Sequence, residues 1–215
     1  MNLPLLTAEN GYIFRITHLS NLQWIIDHGL HARSAEVQDP NFTPIGNKGL
    51  IDKRHYRSVP DMERQTLSDY VPFYFTPRSI MLLGLVRGGQ SVDKRPVEEV
   101  VMLVTRLRFV EEAGIPFCFT DRHAYLNDAQ YFSDASELHN LRWDLFQQSD
   151  FAHSQEEPDK GSYYQAEALI HQHVPFDLIK GVYVGSEKTL GLVDSMLEQS
   201  DASPHTEVKL GWFFS

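Results

Sequence analysis

Residues 100–105 read V-V-M-L-V-T, an apolar run closed by a single threonine. A run this short, apolar at both odd and even positions, predicts a central strand buried on both faces. It therefore asks for packed structure on each side, and 215 residues with 42% hydrophobic content can supply it within one domain spanning 1–215. Alternation over Tyr12 to His18 predicts another strand. Tyr12, Phe14 and Ile16 share one side, and Ile13, Arg15 and Thr17 the other. Ser20 reads as the cap of a helix with Leu22, Ile25 and Ile26 as its stripe and Gly29 as its end.

Residues 31–47 show no period and predict a long loop, followed by a short helix within Lys48 to Arg57 that Pro60 closes. Val71 to Phe75 reads as a strand, placed at an edge or strand end by its prolines. Ser79 caps a helix over Ile80 to Arg87 that Gly88-Gly89 ends. Further strands are expected at Phe117 to Thr120, Tyr163 to His171, Gly181 to Val184 and Val208 to Phe214. Further helices are expected at Ser136 to Gln147 and Glu187 to Gln199. The strands are short and numerous, and the helices fall between them without a βαβ rhythm. The fold class is α+β.

Net charge is −10, but it is unevenly spread. Residues 1–110 hold 13 Lys and Arg against 11 Asp and Glu, whereas residues 111–167 hold 3 against 12. A polyphosphate ligand is expected to use the first half. The one cysteine, Cys118, excludes an intramolecular disulfide and a cysteine-rich metal site, and reads as core. No metal is expected, because His171 and His173, on one strand face, have no evident third ligand. GxxxxGK[ST], GxGxxG and G-x-S-x-G are all absent. With no apolar run of membrane-spanning length and no basic stretch in Met1 to Asn10, the expected compartment is the cytoplasm.

One carboxylate stands out. Glu167 falls between Ala166 and Ala168 inside Y-Y-Q-A-E-A-L-I-H, where a strand interior disfavours it. Two readings fit: an exposed strand face, or a carboxylate held on a rigid element facing a cleft and outside the core. In the second, the Gln165 amide stands beside it and Arg15 and Thr17 line the same cleft.

Four blocks in order carry a family resemblance: F-R-I-T-H-L-S-N-L-Q-W-I-I-D-H-G-L at 14–30, V-P-F-Y-F-T-P-R-S-I-M-L-L at 71–83, F-T-D-R-H-A at 119–124 and Q-A-E-A-L-I at 165–170. The chain resembles the DarT-type DNA ADP-ribosyltransferase toxins of the ADP-ribosyltransferase superfamily. That resemblance implies two small split sheets with flanking helices and NAD bound, as substrate, in the cleft between them. It implies transfer of ADP-ribose to a base of single-stranded DNA, with release of nicotinamide. It also implies a cognate antitoxin with ADP-ribosyl-hydrolase activity.

Residue by residue, the catalytic glutamate matches Glu167. The functional arginine matches Arg54, with Arg57 as runner-up. The first-strand position, usually histidine and in other branches arginine, falls on Arg15. Ile16 and Thr17 follow it at the nicotinamide, and Asn21 and Leu30 match further positions near the dinucleotide. The basic cluster that many relatives carry before Q-A-E is absent, with Lys160 alone nearby.

These residue types suit the chemistry. Breaking the nicotinamide–ribose bond develops positive charge that a rigid, ionised carboxylate stabilises, and a diphosphate needs guanidinium donors. Lys48 to Arg64 holds five Lys and Arg with Tyr56 as a stacking aromatic, which suits a single strand. Against DNA stands the acidic loop within Ser149 to Ser162, with Asp150, Glu156, Glu157 and Asp159. Transfer to protein or RNA on the same fold, and a non-enzymatic NAD-binding module, are the alternative readings.

Overall fold

The computed structural model describes residues 5–60, 65–89, 92–152 and 155–214. Residues 1–4, residues 61–64 of the basic segment and residues 153–154 of the acidic loop lie outside them.

The strands are β1 (Tyr12–His18), β2 (Leu30–His31), β3 (Tyr70–Tyr74), β4 (Val100–Arg106), β5 (Phe117–Thr120), β6 (Tyr131–Phe132), β7 (Glu167–His171), β8 (His173–Val174), β9 (Gly181–Val184) and β10 (His205–Val208). The α-helices are α1 (Leu22–His28), α2 (Lys48–Arg54), α3 (Ile80–Arg87), α4 (Leu107–Glu112), α5 (Trp143–Gln148), α6 (Lys160–Tyr163) and α7 (Glu187–Leu197). Strands pair in the order β10-β9-β4-β1-β3-β7-β5-β6, and β2 and β8 form a separate pair. As its apolar run requires, β4 runs between β1 and β9 with Val100 to Leu103 fully buried.

The large sheet is continuous in name but split in fact. β1 matches β4 over seven residue pairs, yet meets β3 at one pair, Phe14↔Tyr74. Two half-sheets, β10-β9-β4-β1 and β3-β7-β5-β6, are thus joined at a single register position. Past Phe14 the strands part. Pro72 explains how a proline tolerates this interior strand, against the edge position expected of it. Its carbonyl turns toward β1 and accepts from Arg15 Nη1 at 2.7 Å. The nitrogen and carbonyl of one strand residue face the same neighbour, so the missing N–H falls in the gap and leaves the β7 ladder intact.

Several elements differ from their sequence reading. Ser20 does not cap the first helix. A short 3₁₀ turn, Leu19–Asn21, precedes α1, and its cap is the His18 side chain, which accepts from the Ser20 amide. α2 stops at Arg54, well before Pro60. Leu141 and Arg142 break the expected 136–147 helix into a 3₁₀ stretch, Ala135–Asn140, and α5. Strand β7 begins at Glu167, because Lys160–Tyr163 is a turn of helix. His171 and His173 therefore sit on different strands, separated by Gln172 at φ 57°. The expected closing strand is β10 followed by a 3₁₀ turn, Leu210–Phe213, that drives Trp212 and Phe213 into the core. One βαβ unit is present after all: β9, α7 and β10, with the two strands parallel.

Candidate active site at the split of the sheet

Where β1 and β3 part, a cleft opens with two adjoining lobes of about 170 and 150 Å³. Arg15, Arg54, Ile51, Phe42, Pro44 and Pro72 border both. Leu30, Trp24 and His31 wall the first lobe. Ile16, Thr17, Tyr74, His123 and Glu167 wall the second.

Glu167 opens β7 directly across from Tyr74 of β3. Its backbone N–H donates to Thr120 Oγ1 at 3.2 Å, which anchors it to β5. The carboxylate is only 3% exposed. Arg54 Nη1 donates to Oε2 at 2.9 Å, and the Ala124 amide donates to Oε1 at 3.2 Å. His123 Nδ1 lies 3.2 Å from the same Oε1 and also 3.2 Å from the Tyr125 amide. Burial alone would push this carboxyl up, but the Arg54 guanidinium, with His123, outweighs it and holds the group at about 2. Glu167 is thus ionised at any physiological pH and fixed on both oxygens. The expectation of a cleft-facing group outside the core needs correction: Glu167 lines the cleft as a buried member of an ion pair.

Arg54 reaches Glu167 from the last turn of α2, a helix with no buried residue of its own. Asn47 caps that helix by accepting from the Leu50 amide at 3.0 Å. Arg57, the alternative arginine, turns away: its guanidinium donates to Asn127 Oδ1 and the Leu126 carbonyl, each at 2.8 Å. Arg15 spans the gap to Pro72, and desolvation pushes its guanidinium down to about 10, which leaves it charged at neutral pH. Burial pushes the Tyr74 phenol up, so it stays neutral.

Leu30 lines the first lobe, and Ile16 and Thr17 line the second. Asn21 stands behind its wall. It is fully buried, donates to Thr17 Oγ1 at 3.1 Å and the Thr43 carbonyl at 2.9 Å, and accepts from the Thr43 amide at 2.8 Å. It thereby pins the loop carrying Phe42 and Pro44 to β1. Gln165 precedes β7 and so shares no strand face with Glu167; its side-chain amide donates to the Gly161 carbonyl at 3.1 Å. His123 received no role from the sequence, although the F-T-D-R-H-A block containing it was the available signal.

The acidic loop is partly neutralised from within. Lys160, buried beneath it, pairs with Asp150 at 2.8 Å, and Arg142 pairs with Glu157 at 3.0 Å. Lys160 is accordingly not a surface cation. Tyr56, in contrast, is 89% exposed. Among the described residues, no helix is long and apolar enough to cross a membrane.

A family model described as "ssDNA thymidine ADP-ribosyltransferase, DarT" matches residues 14–214. The chain is 41% identical over 210 residues to a DNA ADP-ribosyl transferase of Escherichia coli O127:H6 (strain E2348/69 / EPEC), covering 98% of this chain and 96% of that one. Its fold is similar to that of Thermus sp. 2.9 DarT in complex with ADP-ribosylated ssDNA, with a TM-score of 0.84 and 32% identity over 95% of this chain and 96% of that one. The same Thermus protein in complex with NAD+ gives a TM-score of 0.81 and 33% identity over 95% and 98% of the two chains.

Proposed function

The chain belongs to the DarT family of single-stranded-DNA ADP-ribosyltransferases, and from that premise we propose that Glu167 and Arg54 carry its chemistry. Its activity is NAD-dependent transfer of ADP-ribose to a base of single-stranded DNA, with NAD as substrate and nicotinamide as the leaving group. The chemistry of the cleft lining supports a dinucleotide there. Arg15 Nε and Arg54 Nη2 are buried without a hydrogen-bond partner, and a diphosphate supplies acceptors of the kind they lack.

The observation that carries the residue assignment is the 2.9 Å pair of Arg54 and Glu167 at the junction of the two lobes. Cleavage of the glycosidic bond builds positive charge on the ribose. A carboxylate held at about 2 by its neighbours stabilises that charge without first losing a proton. The Ala124 amide donates to its second oxygen, with the His123 ring packed 3.2 Å away, so the group is oriented before substrate arrives. Arg15, Ile16, Thr17 and Leu30 bind the dinucleotide along β1 and β2. Asn21 acts from behind, through the loop it pins.

The finer reading extends to biology. The acceptor base is thymidine, a choice supported by the family's description. Residues 1–215 work as one catalytic unit, supported by a family match over nearly all of them. The protein is the cytoplasmic toxin of a toxin–antitoxin pair, countered by an antitoxin that hydrolyses the ADP-ribosyl bond. Internal pairing of Asp150 and Glu157 weakens the case that the acidic loop repels DNA, and with it the protein or RNA alternative.

The test incubates labelled NAD with matched single- and double-stranded oligonucleotides and locates ADP-ribose by mass spectrometry. Label on single-stranded thymidine, nearly none on the duplex, and at least a hundredfold loss in Glu167→Gln are expected. A paired base must first be unstacked, at roughly a few kcal/mol. Equal labelling of both forms, or full activity in the variant, would overturn the assignment.

A further inference from the structure

The first lobe holds three buried side-chain polar atoms with no hydrogen-bond partner. Two are Arg15 Nε and Arg54 Nη2, on cations already assigned to the dinucleotide. The third is Ser68 Oγ, on a residue that the sequence reading left without a role. Native structures leave few such groups, and a buried hydroxyl without a partner is worse for stability than no hydroxyl at all. Three such atoms on residues that line one cleft are what a polar ligand there would complete.

Ser68 is held in place by its backbone rather than by its hydroxyl. It lies in the 3₁₀ turn Leu67–Asp69 that leads into β3, a turn closed by reciprocal bonds between Thr66 and Asp69. Its carbonyl accepts from the Ser34 amide at 3.2 Å. The residue itself is only 3% exposed. Around the same lobe stand the rings of Trp24, His31 and Tyr70 and the guanidinium of Arg33. Flat rings, guanidinium groups and a hydroxyl are the chemistry that receives a nucleoside phosphate. Glu167 borders the other lobe, so the reacting ribose belongs there and the distal half of the dinucleotide belongs here.

We propose that Ser68 is a positioning residue for NAD: its hydroxyl pairs with an oxygen of the adenosine ribose-phosphate half, in the lobe away from Glu167. This rests on the reading of the cleft as the NAD site. The contact is remote from the bond that breaks, so it strengthens ground state and transition state alike.

Ser68→Ala tests it through readouts that move in opposite directions. Calorimetry with NAD and with ADP-ribose should show Kd raised about tenfold for both in the variant. KM for NAD should rise by the same factor, with kcat within about twofold. Inhibition by nicotinamide mononucleotide, which lacks the adenosine half, should be unchanged. Tm of the ligand-free variant should equal or exceed that of the wild type, since the substitution removes an unpartnered hydroxyl. Unchanged Kd for ADP-ribose, an equal loss for nicotinamide mononucleotide, or a fall in both Tm and kcat would overturn the proposal. Failure of the wild-type protein to bind NAD and ADP-ribose would instead remove the reading beneath it.

Discussion

Arg54→Ala should leave one of the most costly groups a protein interior can hold, an anion with no cation beside it. In the intact protein the Glu167 carboxyl is held at about 2 against an ordinary 4.5. At 1.36 kcal/mol per unit, that difference corresponds to about 3 kcal/mol of stability. Because the folded value is depressed, this contribution is fully present above pH 4.5 and disappears as pH falls toward 2. With Arg54 gone, burial acts on the carboxyl with only His123 and the Ala124 amide opposing it, and its pKa rises.

The variant should therefore be about 3–5 kcal/mol less stable than wild type at pH 7, the usual range for removing one partner of a buried pair. The deficit should shrink steadily through pH 5, 4 and 3, because the raised carboxyl of the folded variant is neutralised first and the wild type then loses stability as its unfolded chain takes up the proton near 4.5. Urea unfolding of wild type, Arg54→Ala, Glu167→Gln and the double variant, repeated across that pH series, measures all of this. The double variant should recover most of the deficit at pH 7, because it carries no buried anion. A deficit independent of pH, or a double variant no more stable than Arg54→Ala, would refute the reasoning.

Arg57→Ala should retain transfer activity within a few-fold of wild type, while Arg54→Ala loses at least a hundredfold in single-turnover labelling of an oligonucleotide. Comparable losses in the two would mean that the guanidinium bound to Asn127 and Leu126 also serves the reaction. Cys118 should be inert to thiol reagents in the native protein and react only on unfolding, since it is 2% exposed and burial pushes its thiol up to about 12. Rapid native-state labelling would contradict this.

Much of the framework is legible because it is local. The alternation of β1, the apolar run of β4 and the Ser79 and Gly88 boundaries of α3 each report a period or a terminus within a few residues. The glutamate was legible as an oddity, a charge among alanines, inside the last of the four sequence blocks. Its environment was not legible. The Arg54–Glu167 pair joins positions 113 apart, and His123 reaches the carboxylate because β5 pairs with β7 at Phe119↔Ala168. The C-terminal apolar residues were misread for a different reason. Trp212 and Phe213 are hydrophobic because they are buried, and burial in a 3₁₀ turn leaves the same mark as burial in a strand. Asn21 shows the same limit for polar groups, since its composition fits a ligand contact and a loop tether equally well.

Pro72 gives the sheet a seam that cannot be stitched further. Two antiparallel strands that meet at one register position, as β1 and β3 do at Phe14 and Tyr74, would otherwise zip together one hydrogen bond at a time, and each stitch would narrow the room for substrate. A proline removes the thread at the position where zipping would proceed, and the Arg15 side chain takes the carbonyl that a strand neighbour would have used. The enzyme's working space is thus kept open by a missing hydrogen atom rather than by a wedge. Any other residue at position 72 would restore the donor and give the two halves of the sheet a reason to close on the proposed NAD cleft.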